Sequence, residues 1–268
     1  MDNLKQRLCF ALPLIRQAGT ILRGAFSLRK EGVIYRKKTE TDPVTNTDIE
    51  LETFLRKEIL SKFPNEAFIG EESASNLERF DQDSCWILDP IDGTANFVHG
   101  IPNVAISLAY SERGQVVLGI VYNPLEEELF TAIRGGGAFL EDTPIRVSDI
   151  DNWNEAIVCT EFGSDRSSVK CSMIVENLKN ILDDKIQGIR ATGSAALDLC
   201  YVAAGRFDVY YEYGPHIWDI AAGSLIVEEA GGTVLHPTGS NLDLRSRGIL
   251  ATNQRFCKKL KFPPFWHF

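Results

Sequence analysis

Cys85-Trp86-Ile87-Leu88-Asp89-Pro90-Ile91-Asp92-Gly93-Thr94 is the segment from which the rest of the sequence is best read. An apolar run over 85–89 predicts a strand that ends in a carboxylate. Pro90 fixes the turn, and a second carboxylate follows at Asp92. Gly93 permits a backbone angle closed to other residues, and Thr94 is placed to cap a helix over 95–99. In α/β sheets functional groups gather beyond the carboxyl ends of strands. Two acids converge there beside a helix start, where N–H groups and the helix dipole favour an anion. Acids for a cation beside amides for a phosphate make a coherent site, although an Asp-Pro turn with a capped helix also occurs without function.

Working outward, Gly70-Glu71-Glu72-Ser73 follows a second strand-like run over 66–70. Trp218-Asp219 opens a helix predicted over 217–230, after a break at Gly214-Pro215. Taken singly, these acids read as solvated surface and as a dipole-favourable first turn. Together they form acidic clusters at strand ends and helix starts. Carboxylate and carbonyl oxygens without histidine or cysteine suit a hard cation, magnesium before zinc.

Helical spacing of Leu4, Leu8, Ala11, Leu12, Ile15, Ala18, Leu22 and Phe26 predicts a long amphipathic helix over 4–26. A second helix fits 47–62, with Asp48 near its start. Strands are expected at 104–111, 115–123 and 128–133, with Gly114 marking a hairpin reversal and Gly135-Gly136-Gly137 another. In the second half, strands at 156–160, 187–190, 207–211 and 248–252 alternate with helices near 167–181, 194–204 and 217–230, and a short helix closes the chain. The expected class is layered α/β in one compact unit over 1–268.

The chain has 268 residues, 44% of them hydrophobic, and a formal net charge of −9. Such a surface repels nucleic acid and anionic membranes, so neither is an expected partner. An acidic protein that handles phosphate must neutralise charge locally, and bound cations are the means. No apolar run reaches the ~18 residues needed to span a bilayer. The N-terminus reads as an amphipathic helix rather than a signal peptide. The six cysteines lie far apart without a C-x-x-C pair, mostly in apolar stretches, so most are expected as buried free thiols in a reducing, cytoplasmic setting. His99, His216, His236 and His267 lack metal-ligand spacing, and His216 is expected to support the site from behind or to be structural rather than to catalyse. Gly135-Gly136-Gly137 lacks the Gly-Lys-Ser/Thr ending of a phosphate loop. Glu126-Glu127-Glu128 reads as a solvated turn, and Pro263-Pro264-Phe265-Trp266 as a tail.

The stretch WILDPIDGTANFVHGIPNVAISLA at 86–109 closely resembles the first signature of the inositol monophosphatase family. WDIAAGSLIVEEAGG at 218–232 resembles its second signature, and GEES at 70–73 completes the acidic set. YYE at 210–212 and GSAA at 193–196 extend the likeness over nearly the whole chain. The resemblance implies a five-layered αβαβα sandwich, shared with fructose bisphosphatases, and a homodimer. It implies a phosphatase acting on a small phosphate monoester, with two to three Mg2+ ions and inhibition by lithium. Glu71, Asp89 and the Ile91 carbonyl match ligands of the first ion; Asp89, Asp92 and Asp219 match those of the second; Glu71 helps hold a third. Thr94 and Glu71 match the pair that orients and deprotonates the attacking water. The amides of Gly93 and Thr94 match the phosphate grip, while Ser164, Gly193, Ser194, Ala195 and Glu212 match contacts to the sugar or inositol ring. Lys37, or Lys38 with the register moved by one, and Thr47-Asp48 match a mobile segment that closes over the metals.

Phosphatases of 3′-phosphoadenosine 5′-phosphate, fructose 1,6-bisphosphate or histidinol phosphate share the metal site, so the acids alone do not separate them. Likeness along the whole chain, with Glu212 in its YYE setting, favours inositol monophosphate. A catalytically dead metal-binding scaffold is the reading of another class. It is opposed by the presence of Glu71, Asp89, Asp92, Thr94 and Asp219 together.

Overall fold

A computed structural model describes residues 2–28, 35–37, 43–73, 77–81 and 84–257, with the side chains of 35–37, 43, 44, 78 and 79 left out. Lys38, the tail Pro263-Pro264-Phe265-Trp266 and His267 lie outside the described residues.

The first sheet has seven strands: β3 (Ala67–Gly70), β4 (Cys85–Asp92), β5 (Ala105–Glu112), β6 (Gln115–Asn123), β7 (Glu128–Ile133), β8 (Gly137–Leu140) and β9 (Thr143–Pro144). β3 and β4 run parallel and the remaining neighbours antiparallel. Both hairpins expected at Gly114 and Gly135-Gly136-Gly137 are present. The second sheet has five strands in the order β11 (Gly188–Arg190), β10 (Ile157–Thr160), β12 (Val209–Tyr213), β14 (Gly248–Thr252) and β13 (Thr233–Leu235). A two-stranded ribbon, β1 (Tyr35–Lys37) with β2 (Pro43–Thr45), stands apart from both.

Side-chain parity in β4 shows how the layers form, because successive residues of a strand face opposite sides. Trp86 and Leu88 pack with Ile15, Leu22, Leu51 and Leu55 from α1 (Asp2–Leu28) and α2 (Asn46–Lys62). Cys85 and Ile87 face the other way, onto α5 (Ala195–Ala203) and α6 (Ile217–Glu229). The opposite sides of α5 and α6 pack with Tyr210, Ile249 and Ala251 of the second sheet. Beyond that sheet, Met173 of α4 (Ser168–Asp183) packs on Val158, Val209 and Leu250. Helix, sheet, helix, sheet and helix follow one another, which is the five-layered αβαβα sandwich. Being enclosed between two sheets explains why α6 is apolar on nearly all sides, from Ile217 through Val227. Among the described residues no helix is long and apolar enough to cross a membrane.

Several boundaries differ from the sequence expectation for physical reasons. β4 continues past Asp89 to Asp92 because a bulge lets Pro90 and Ile91 leave the ladder before pairing resumes at Asp92↔Ala105. β12 begins at Val209, two residues late, because Asp208 is spent on a turn: its carboxylate accepts from Ile157 N and from the Ser148 hydroxyl. The cap of α3 (Thr94–His99) is Gly93, in the left-handed region at φ 92°, with Thr94 as its first residue rather than its cap. Cys85, Cys159 and Cys200 are buried free thiols as expected. Cys171 and Cys257 are only half-buried, and Cys9 lies on the solvent face of α1.

Candidate active site

Two chain segments deliver three carboxylates to one point. Asp89 follows Cys85 and Ile87 on the α6 side of β4, Asp92 ends the same strand, and Asp219 sits in the first turn of α6. One oxygen from each of Asp89, Asp92 and Asp219 lies within 4.8 Å of the others. Ser107, paired with Asp89 on β5, donates to the Trp218 carbonyl over 3.1 Å and ties the sheet to the start of α6.

Each of these acids is anchored through one oxygen. Asp89 Oδ1 accepts from Ile91 N at 3.0 Å, and Asp219 Oδ2 from His216 N at 2.7 Å. Asp92 Oδ2 accepts from Ala196 N at 2.7 Å and from the Ser194 hydroxyl. The second oxygens of Asp92 and Asp219 are thereby left to serve the cleft, while Asp89 also meets Glu71 there.

The electrostatics fit a cation. Burial raises Asp89 well above the ordinary carboxylate range, and the charges of Glu71, Asp92 and Asp219 raise it further. Burial lifts Asp92 to about 7 even though the Ser194 and Ala196 hydrogen bonds pull the other way. Asp219 rises through burial and through the charges of Asp92 and Glu71. Mutual repulsion at a buried, all-oxygen donor set is relieved by a hard divalent ion, and the residues present suit one.

The cleft holds about 270 Å3 and is lined by residues from every predicted cluster. Glu71, half-buried, stands just beyond β3, where its N–H donates to the Leu88 carbonyl over 3.1 Å. The turn behind it is held by Glu52 of α2, whose Oε2 accepts from Glu72 N at 2.8 Å. Ile91, Gly93, Thr94, Ser164, Gly193, Ala195 and Glu212 all reach the cleft. Two glycines are needed where α3 meets the turn before α5. A Cβ on Gly93 would stand 2.8 Å from the Asn103 carbonyl, and one on Gly193, at φ 85°, 2.6 Å from Asn96 Nδ2.

Two expected site residues stand elsewhere than foreseen. Ser194 does not line the cleft; it is fully buried, and its hydroxyl holds Asp92 instead of a ring. Asp48 is fully buried in the first turn of α2, where it accepts from the Thr45 amide at 2.9 Å. Its Oδ1 lies 3.2 Å from the Thr94 hydroxyl, which also has the Ile91 carbonyl as acceptor at 2.9 Å. Burial raises Asp48 to about 6. Thr47 is half-buried beside it, and Lys37 ends β1.

Further lining residues were not singled out from the sequence. Glu161 follows β10 and accepts from Gly193 N at 2.7 Å. It obeys the same strand-end rule that picks out Asp89, but carries no second acid beside it in the chain. Arg247 also lines the cleft, held on the Gly214 carbonyl. His216 also lines the cleft; it precedes α6, and its ring stacks on Trp218 with centroids 4.5 Å apart.

Comparison with known proteins decides the family. The model of the inositol monophosphatase family matches residues 3–266. The chain belongs to the inositol monophosphatase family. It is 39% identical to inositol monophosphatase 1 of Bos taurus over 270 residues, covering 98% of this chain and 97% of that protein. The solved structure of the extragenic suppressor protein suhB from Bartonella henselae superposes with a TM-score of 0.87 at 36% identity, covering 95% of this chain and 96% of that one. The Thermotoga maritima IMPase follows at 0.84 and 37%, covering 95% and 94%. The chain is a phosphatase of the phosphoric monoester hydrolase class.

Proposed function

We propose that this inositol monophosphatase family member hydrolyses myo-inositol monophosphate to inositol and phosphate, with magnesium as cofactor. The observation that carries the reading is the set of three anchored carboxylates converging in the cleft, beside the Thr94–Asp48 contact. Glu71, Asp89, the Ile91 carbonyl, Asp92 and Asp219 would hold two to three ions. When bound, magnesium supplies charge neutralisation for the phosphate and acidifies water at neutral pH.

The chain's own groups do the rest. Thr94 carries a single hydroxyl proton, which Asp48 Oδ1 or the Ile91 carbonyl accepts, so its lone pairs are turned to an incoming water. Glu71, across the cleft, takes the proton of that water as it attacks phosphorus. The ester bond breaks, and solvent protonates the departing alkoxide. The amides of Gly93 and Thr94 offer donors to the phosphate oxygens. Glu212 receives the Tyr210 hydroxyl on Oε2 at 2.6 Å, which leaves Oε1 for a ring hydroxyl, with Ser164, Gly193 and Ala195 around it. No nucleophilic side chain is required, so hydrolysis is direct. Likeness to the family further supports a homodimer working in the cytoplasm as a single catalytic unit over 1–268, with Lys37 and Thr47 on a segment that closes over the ions.

Phosphate release would be followed with magnesium from inositol 1-phosphate, fructose 1,6-bisphosphate, 3′-phosphoadenosine 5′-phosphate and histidinol phosphate. Preference for inositol 1-phosphate, lost with chelator and inhibited by lithium, is the expected result. Preference for another ester keeps the chemistry and replaces the substrate. No release from any of them, with magnesium bound, leaves a metal-binding scaffold.

A further inference from the structure

A second group of metal-ligating side chains stands on the second sheet. Cys159 lies in β10 and Glu161 directly follows that strand, and their side chains meet on one side of the sheet. Asp198, in the first turn of α5, meets them there. A carboxylate oxygen from each acid and the sulfur of Cys159 lie within 4.8 Å of one another. Asp198 is fully buried; its Oδ1 accepts from the Thr192 hydroxyl at 2.6 Å, while its buried Oδ2 has no hydrogen bond of good geometry among the described residues and only the Cys159 thiol and Glu161 carboxyl beside it. A buried carboxylate oxygen is costly to leave unpaired. The Cys159 thiol is itself buried and is raised far above its usual range, first by burial and then by the charges of Asp198 and Glu161. Two carboxyl groups and a thiol thus converge on one pocket, a donor set that a cation completes.

We propose that Cys159, Glu161 and Asp198 form a binding site for a thiophilic divalent cation such as zinc, separate from the all-oxygen centre at Asp89, Asp92 and Asp219. One sulfur and two carboxylate oxygens make a mixed set that zinc accepts and magnesium does not, and water can complete the coordination. Glu161 is half-buried and lines the cleft, which provides the route of entry. Binding expels the thiol proton to solvent, so affinity increases with pH. Occupancy also has a structural consequence: Glu161 holds the Gly193 amide, and a bound ion therefore fixes the turn that walls the cleft.

The test uses the full chain saturated with magnesium and adds cobalt(II) as a spectroscopic stand-in for zinc. A thiolate-to-cobalt charge-transfer absorption is expected, which an oxygen-only centre cannot give. Cys159→Ser should abolish that absorption and weaken zinc binding, measured against a chelating dye, by at least about tenfold, while magnesium-dependent phosphate release is retained. Asp198→Asn keeps an amide oxygen for the Thr192 hydroxyl and serves if the serine variant fails to fold; it too should lose at least about tenfold in zinc affinity. Absence of the absorption in the unaltered chain overturns the site. So does an undiminished absorption in Cys159→Ser, or unchanged zinc affinity in Asp198→Asn.

Discussion

At Asp92 one carboxylate oxygen accepts from both the Ser194 hydroxyl and the Ala196 amide, so the other alone is left to meet a cation. Asparagine at this position would turn its carbonyl toward those two donors and keep the local geometry. Its NH2 would then point at the ion. Asp92→Asn should therefore fold normally, by circular dichroism and thermal unfolding, yet lose about 100-fold or more in phosphate release, since disturbing even the supports of metal ligands costs 10–100-fold. Activity near that of the unaltered chain would remove Asp92 from the metal set. The same residue marks the limit of sequence reading. Asp89, Asp92 and Asp219 were legible because they sit in two signatures and at element ends. That Ser194 serves Asp92 rather than a ring was not, because the partner lies 102 positions away and only the packing of α5 against β4 brings the two together.

Helix α2 supports the site through one face. Asp48 and Glu52 lie four residues apart, hence one above the other, and both are buried. Asp48 contacts Thr94, while Glu52 accepts from the Glu72 amide and so fixes the turn that carries Glu71. Glu52→Ala would leave that amide without its acceptor and loosen Glu71. Half-saturating magnesium should increase about tenfold, whereas Glu52→Gln, which keeps an acceptor oxygen, should stay close to the unaltered chain. Rate measured against magnesium concentration checks this; an unchanged magnesium dependence in the alanine variant would sever α2 from the centre. The periodicity of α2 was readable from Leu51, Leu55 and Ile59, and Asp48 was singled out through the family resemblance, but Glu52 was not. What made β4 only partly readable was Pro90. A proline normally ends a ladder, and the bulge that absorbs it depends on the partner β5. β13, three residues on a sheet edge, was not read from the sequence.

The whole molecule carries a concentration of buried negative charge that is useful for binding and unfavourable for folding. Without metal, Asp89, Asp92 and Asp219 repel one another through a buried site. Asp219→Asn should thus unfold at a higher temperature than the unaltered chain in chelator, and should lose most of the stabilisation that magnesium gives the latter. Thermal unfolding of both proteins with and without magnesium decides it; a variant less stable than the unaltered chain in chelator would mean the carboxylates are not in conflict. Glu212 adds a pH dependence of its own. Burial raises it from 4.5 to about 8, so the folded chain keeps a proton that the unfolded chain has released across that window. Its stabilising contribution is complete below pH 4.5 and diminishes as pH rises toward about 8. Each pH unit inside the window costs about 1.4 kcal/mol. Glutamine cannot ionise and still offers the Tyr210 hydroxyl an acceptor. In urea unfolding with chelator present, the unaltered chain should lose stability between pH 5 and pH 8 more steeply than Glu212→Gln, by a few kcal/mol over the interval. The other raised carboxylates titrate in both proteins, so the difference reports Glu212 together with its repulsion of Asp219. Parallel pH profiles would mean that Glu212 is already ionised in the folded chain, and that the Tyr210 hydroxyl outweighs its burial.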